Sequence, residues 1–190
     1  MERKNLGAKP FCYPQPVFII AAYGEDDIPC AMNAAWGGTS DYKEMTLCLS
    51  KGHKTVANLR SRGAFTISMG TADQMVACDF VGVVSGNKVP DKFERTGLRA
   101  VRSGHVDAPI IVGSPVVIEC ELIEFVETDN FTTVLASVVN MAADESVLGE
   151  DGRIDTGKIG MIFYESFSNS YYRLGEKVGK AWSEGKVFMK

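Results

Sequence analysis

Two stretches in the second half of the chain constrain the fold most. Val116 to Thr128 carries the alternation Ile118, Glu119, Cys120, Glu121, Leu122, which predicts a strand with one wet face. Phe131 to Met141 follows at once and is rich in Thr and Val, residues that suit a pleated surface. Shorter strand signals run through the rest of the chain. Val17 to Tyr23 is an apolar run closed by Gly24-Glu25-Asp26-Asp27, and Cys30 to Ala35, Met45 to Leu49, Ala64 to Met69 and Met161 to Tyr164 follow. Helical patterns are short. Lys54 to Arg62 suits an amphipathic helix stopped by Gly63, and Thr71-Ala72-Asp73-Gln74 has the form of a capping box opening a helix through Val76, Phe80 and Val83. Asp91 is placed to cap a helical turn containing Phe93, and Glu150-Asp151-Gly152-Arg153 reads as a turn. The helices interrupt the strands without a βαβ rhythm. The expectation is a mainly β fold, an antiparallel barrel or sandwich with a few packed helices, and not a Rossmann sheet.

With no repeat or linker, the 190 residues read as one domain over 1–190. Hydrophobic residues at 45% against 23% charged are the balance of a soluble globular chain. A net charge of -4 argues against a nucleic-acid or anionic-membrane binder, so any anion site must be local. The start, Met1-Glu2-Arg3-Lys4-Asn5, is charged, and no apolar run approaches the roughly 20 residues that cross a bilayer. The cytoplasm is the expected location. Five cysteines, widely spaced and without a C-x-x-C pair, read as reduced, mostly buried or half-buried thiols.

Three segments could carry chemistry. Ser50-Lys51-Gly52-His53-Lys54-Thr55 joins a strand to a helix, where free backbone N–H groups and the positive end of the helix dipole meet. Ser50 and Thr55 add hydroxyls, Lys51 and Lys54 charge, Gly52 close approach, and His53 a ring donor, a mixture that suits a phosphate. Met32-Asn33-Ala34-Ala35-Trp36-Gly37-Gly38 sets small residues around one indole, so a flat ligand could lie against the backbone. Val84-Ser85-Gly86-Asn87-Lys88 runs on to Asp91-Lys92-Phe93 and combines a glycine loop with lysines. Each segment also has a plainer reading: a solvated helix start, a strand crossing with Trp36 as a core anchor, and a surface lysine at position 92.

Other chemistries lack their parts. His53 and His105 are the only histidines, no Cys/His spacing suggests a metal, and no G-x-G-x-x-G or G-x-S-x-G is present. Acidic residues fall mainly on exposed strand faces and turns, with no pair standing out as an acid/base couple.

In their order, these segments resemble the flavin reductase-like family with a split-barrel fold, and most closely its flavoredoxin branch. The matching pieces are Pro16-Val17-Phe18, Ala31 to Gly38, Leu49 to Thr55, Gly82 to Gly86 with Asp91-Lys92-Phe93, Asp107-Ala108-Pro109, Glu119-Cys120, and the tail Ser170 to Ala181. The resemblance implies a six-stranded Greek-key-type split β-barrel, non-covalent FMN, and a homodimer with the flavin near the subunit interface. It places Asn33, Ala34, Ala35 and Trp36 beside the isoalloxazine, and Ser50, Lys51, His53 and Thr55 at the phosphate and ribityl end. Ser85, Gly86 and Lys92 would approach the ring or ribityl chain, and Tyr164 matches an aromatic near the flavin. Two departures stand out: Pro29-Cys30 where relatives often have Pro-Asn, and Phe131 where many have histidine. Both bear on flavin affinity and the choice of reductant.

The resemblance implies an FMN-dependent oxidoreductase that takes hydride from NADH or NADPH and passes electrons to free flavin, iron or a protein acceptor. The cofactor carries that chemistry, so no catalytic side chain is required or nominated. The alternative is an electron-transfer protein exchanging electrons with a redox partner without using NAD(P)H directly. A third reading is a split-barrel dimer that has lost its flavin.

Overall fold

In the computed structural model, which describes residues 2–10 and 12–189, the apolar run after Pro16 is buried on both faces. The strands are β1 (Gln15–Pro16), β2 (Phe18–Tyr23), β3 (Pro29–Ala34), β4 (Gly37–Asp41), β5 (Glu44–Ser50), β6 (Ala64–Met69), β7 (Ala100–Arg102), β8 (Pro109–Ile111), β9 (Val116–Glu127), β10 (Phe131–Ala143), β11 (Ile162–Glu165) and β12 (Ser170–Arg173). Helices α1 (Lys54–Arg62), α2 (Met75–Val83) and α3 (Lys92–Arg95) interrupt them. Among the described residues no helix is long and apolar enough to cross a membrane.

Seven strands form one antiparallel sheet in the order β3-β2-β6-β9-β10-β5-β4, with β9 and β10 as its long central pair. The sheet curls on itself. Met32 and Ala34 of β3 share one apolar cluster with Met45, Leu47 and Leu49 of β5, although four strands lie between them in the sheet. Val56 and Leu59 of α1 join that cluster and plug one end of the barrel. The opposite face of β2 is covered as well. Ile19 and Ala21, with Val17 beside them, pack against Cys78 and Val81 of α2, Phe93 of α3, Ile111 and Ile162. A strand buried on both faces needs an unbroken apolar run, and Phe-Ile-Ile-Ala-Ala-Tyr is one.

Helix α1 spans the expected residues and ends as expected, with Gly63 left-handed at φ 67° and its N–H donating to the Leu59 carbonyl. Three local expectations are corrected. The Thr71 segment does not cap a helix: Thr71 pairs with Met161, Ala72 N–H donates to Gly160, and α2 starts only at Met75 without a side-chain cap. Tertiary pairing there outweighs the local motif. Asp91 does precede α3, but its carboxylate takes the Arg95 guanidinium instead of capping the turn. Glu119, expected on a wet face, is 1% exposed. The first half of β9 is covered on both sides, and only from Glu121 onward does the strand meet solvent.

Four elements escaped the sequence: β4, the β7–β8 pair, and β12 within the polar, aromatic tail. Each is only three to five residues long. β4 raises the sheet from six strands to seven.

Glu119 is satisfied inside the fold. It accepts from Ser103 Oγ and, at 2.7 Å, from Asn140 Nδ2, while Ser103 Oγ in turn accepts from the His105 and Val106 N–H groups. Replacing Glu119 with alanine leaves the buried Ser103 hydroxyl and the half-buried Asn140 amide without an acceptor. The expected loss is about 1–3 kcal/mol, read as a lower urea midpoint at unchanged slope. Glu119→Gln, which keeps one acceptor, should lose less.

Candidate functional site

The site lies where the barrel meets its outer layer. β3 pairs with β2 so that Asn33 stands opposite Ile19, and the chain then leaves the strand through Ala35 and Trp36 before re-entering the sheet at Gly37. Glycine is required at that return, because a Cβ on Gly37 would lie 2.6 Å from the Thr46 carbonyl oxygen. The Cys48 N–H donates to the Trp36 carbonyl at 2.7 Å and pins the bend. Trp36 is 52% exposed and therefore not a core anchor; its ring lies 5.6 Å from that of Phe131.

β5 delivers Ser50, and a two-residue turn leads to His53 at the N-cap of α1. No side chain caps that helix start and no acidic residue occupies its first turn. Its leading N–H groups therefore remain available to a ligand. The loop after α2 folds onto this start: Asn87 Nδ2 donates to the Gly52 carbonyl at 2.9 Å, and a turn closes on the Ser85 carbonyl. Gly86 permits the approach, since a Cβ there would meet Lys54 Cβ at 3.2 Å and Cys30 Sγ at 3.3 Å.

Two cavities result, and they share part of their lining. One of about 210 Å³ brings together His53, Lys54, Thr55, Ser85, Gly86 and Lys92. The other, about 270 Å³, is walled by Ala34, Ala35, Trp36, Ser50 and Phe131. Met32, Asn33 and His53 line both. Together they reach the roughly 300–1,000 Å³ typical of cofactor pockets. Among the described residues no carboxylate lines either one, so the groove is locally basic within a chain of net charge -4.

Lys92 is not a surface lysine. It is 3% exposed, and its Nζ donates to the Val81 and Val84 carbonyls at 2.7 and 3.0 Å. Burial lowers its pKa, and those two carbonyls at the end of α2 hold the ammonium in place. Burial, reinforced by the Lys92 charge, also lowers the pKa of His53. His53 Nδ1 is buried and has no hydrogen-bond partner among the described residues. Cys30 stands nearby, its thiol pKa raised by burial against the opposing pull of Lys92 and Lys54.

Two expected site residues stand off the groove. Lys51 pairs with Glu127 at 3.0 Å on the rim and lines neither cavity. Tyr164 lies behind the site, its ring 6.2 Å from that of Tyr171. Tyr171 reaches the groove wall instead, accepting from Asn33 Nδ2 at 3.2 Å and donating to Asp79 at 2.8 Å. Asp79 of α2 carries no sequence signal for this place, because an exposed acid on a helix is common, whereas Gly82 opens one of the stretches that resemble the family. Phe131 was visible only as a departure from relatives.

The residues present fit a phosphate-bearing flat heterocycle. An orphaned buried ring nitrogen, an uncapped helix start and lysine with hydroxyl donors occupy one end, while small residues and an exposed indole form the other.

Comparison with known proteins places this geometry. The family model for the flavin reductase like domain matches residues 11–166. The flavoredoxin of Desulfovibrio vulgaris (Miyazaki F) is 35% identical, with 97% of this chain and 100% of that one covered at a TM-score of 0.92. A flavoredoxin from Methanosarcina acetivorans is 22% identical over the whole of both chains, with a TM-score of 0.91. An FMN-binding protein from Thermus thermophilus, solved with 1-cyclohex-2-enone bound, shares 21% identity at a TM-score of 0.77, with 95% and 97% of the two chains covered. The seven-stranded sheet is thus the family's split barrel, and the chain belongs to the flavin reductase-like family, where it is similar to the flavoredoxins.

Proposed function

We propose that the chain, acting as one unit over residues 1–190, binds FMN in this groove and transfers electrons through it. The observation that carries the reading is the pair of neighbouring cavities that share Met32, Asn33 and His53, one basic and hydroxyl-lined, the other walled by small and aromatic residues. Membership of the flavin reductase-like family and the likeness to an FMN-binding protein support it.

In this reading Lys54, Thr55, His53 and the open N–H groups of α1 hold the phosphate. Ser50, Ser85 and the backbone at Gly86 meet the ribityl chain. Asn33 and the backbone of Ala34, Ala35 and Trp36 lie along the isoalloxazine. Lys92 supplies a fixed positive charge from beneath, and Lys51 adds charge from the rim, shared with Glu127. Tyr164 acts from behind, by supporting Tyr171. Bound FMN supplies the redox chemistry, accepting electrons from a donor and giving them up to an acceptor. The polypeptide excludes water from one side of the ring, orients it, and sets the charge around it.

NADH or NADPH is the proposed donor, and the exposed Trp36 ring, 5.6 Å from the half-buried Phe131 ring, is the aromatic surface that a nicotinamide would meet. A homodimer would bring a partner subunit against that same open wall. The likeness to a flavoredoxin at 35% identity favours one further reading, in which the flavin stays bound and exchanges electrons with a redox protein without direct use of NAD(P)H.

Purified protein should show flavin absorbance or take up added FMN with a spectral shift; absence of both would overturn the proposal. Anaerobic mixing with NADH and NADPH separates the two readings: bleaching within catalytic times supports the reductase, and an unchanged spectrum the carrier. The Lys54→Ala/Thr55→Ala double variant should weaken FMN far more than riboflavin, since each charge-assisted hydrogen bond to phosphate contributes about 1.5–3 kcal/mol. Equal weakening of both ligands, measured by fluorescence titration, would sink the phosphate assignment. Lys51→Ala should matter less, because Glu127 already engages that charge.

His53 provides a pH test. Its folded pKa lies below the unfolded value of about 6.5, so its contribution to stability is present above that pH and lost as pH falls through the folded pKa. Ring NMR of the flavin-free protein should place the His53 titration below that of a free imidazole. The acid-side fall in melting temperature should shrink in His53→Asn.

A further inference from the structure

Tyr171 sits half-buried on β12 and its hydroxyl meets two polar groups, Asp79 Oδ1 at 2.8 Å and Asn33 Nδ2 at 3.2 Å. A phenol has one proton, and an ionised carboxylate can only accept. The Tyr171 proton therefore goes to Asp79. Burial, strengthened by the bond to Asp79 and its charge, pushes the phenol pKa up to about 12, so the proton stays in place near neutral pH. What remains to the Tyr171 oxygen is acceptance, and only the NH2 of Asn33 can supply a proton to it.

The orientation of an amide is usually a matter of assignment. Here the hydrogen-bond inventory decides it. If Asn33 turned its carbonyl toward Tyr171, two acceptors would face each other around a hydroxyl already committed elsewhere. α2 packs closely on the stem of this side chain, since a Cβ on Gly82 would lie 2.8 Å from Asn33 Cβ. Tyr171 is held in turn by Tyr164, its cross-strand neighbour, whose hydroxyl donates to Asn169 Oδ1 at 2.7 Å. Asn33 itself lines both halves of the groove.

We propose that Asp79 and Tyr171 are positioning residues that lock the Asn33 amide with its NH2 toward β12 and its carbonyl oxygen toward the groove, offering an acceptor to a ring N–H of the bound flavin. The inference rests on the flavin site proposed above. It assigns a role to a surface carboxylate and to a residue of the C-terminal hairpin, neither of which lines the groove. It also makes the site selective for a heterocycle that presents an N–H at that point.

The test is a double-mutant cycle on FMN and riboflavin binding. Tyr171→Phe removes the acceptor and frees the amide to turn. Asp79→Asn can donate to the Tyr171 oxygen, which releases the phenol proton toward Asn33 and favours the flipped amide. Each change should weaken FMN and riboflavin by the same factor, about 3- to 10-fold, the range of one hydrogen bond. In an Asn33→Ala background Tyr171→Phe should change affinity by less than about 2-fold, because the group being positioned is gone. A loss of the same size in both backgrounds would mean that Tyr171 acts only as packing, and would overturn the relay. A loss confined to FMN would also overturn it, since it would point to the phosphate end. Failure of the unaltered protein to bind either flavin would instead take down the flavin site, and the relay with it.

Discussion

Burial of β2 on both faces is the constraint on which the rest depends. Phe18, Ile20 and Ala22 enter the barrel, while Ile19 and Ala21 face the layer of α2, α3, β8 and β11. Hydrophobic burial of this kind is non-directional, but a strand presents its two sets of side chains at fixed alternate angles. One strand therefore joins the two cores, and β3 beside it follows the same rule, with Met32 and Ala34 in one and Ala31 in the other. β3 is the edge strand of the sheet, held in it by the ladder with β2 alone, and Asn33 is set at the seam between the cores. The groove is that seam.

The chemistry of the groove follows from the same placement. α2 ends there, so its last carbonyls need donors, and Lys92 supplies them from inside the protein. α1 begins there without a cap, so its first N–H groups need an acceptor. A helix ending and a helix starting meet at one point, with two lysines between them and no carboxylate on the wall. An acidic chain thereby holds a local basic site without becoming a general anion binder. Glycines allow the close approaches that shape the groove: a Cβ on Gly37, Gly82 or Gly86 would lie 2.6, 2.8 or 3.2 Å from its nearest neighbour.

The C-terminal hairpin makes a second kind of contribution. β11 pairs with β1 on one side and with β12 on the other, in a sheet separate from the barrel, and the Tyr164 and Tyr171 rings meet at a tilt across the β11–β12 ladder. Through Tyr171 the hairpin touches α2 and β3 at once, so three segments far apart in sequence share one hydroxyl. A polar network of this type is specific because each member has one allowable role, donor or acceptor.

By itself the sequence determined most of the framework. The strand candidates at Val17, Ala64, Val116 and Phe131, helix α1 and its Gly63 stop were legible because periodicity, β-propensity and a left-handed glycine act locally. The order of the three chemistry-bearing segments was legible too, through their resemblance to a family. Tertiary structure decided the rest. Whether Glu119 met water or a serine, whether Thr71 capped a helix or paired with Met161, and whether Lys92 lay on the surface or under the groove depended on what a distant segment placed beside them. Lys54 and Lys51 differ in the same way, since nothing local tells which lysine turns inward and which finds Glu127. Local rules choose the element, but burial and hydrogen-bond satisfaction are properties of neighbours, and only the folded chain supplies those.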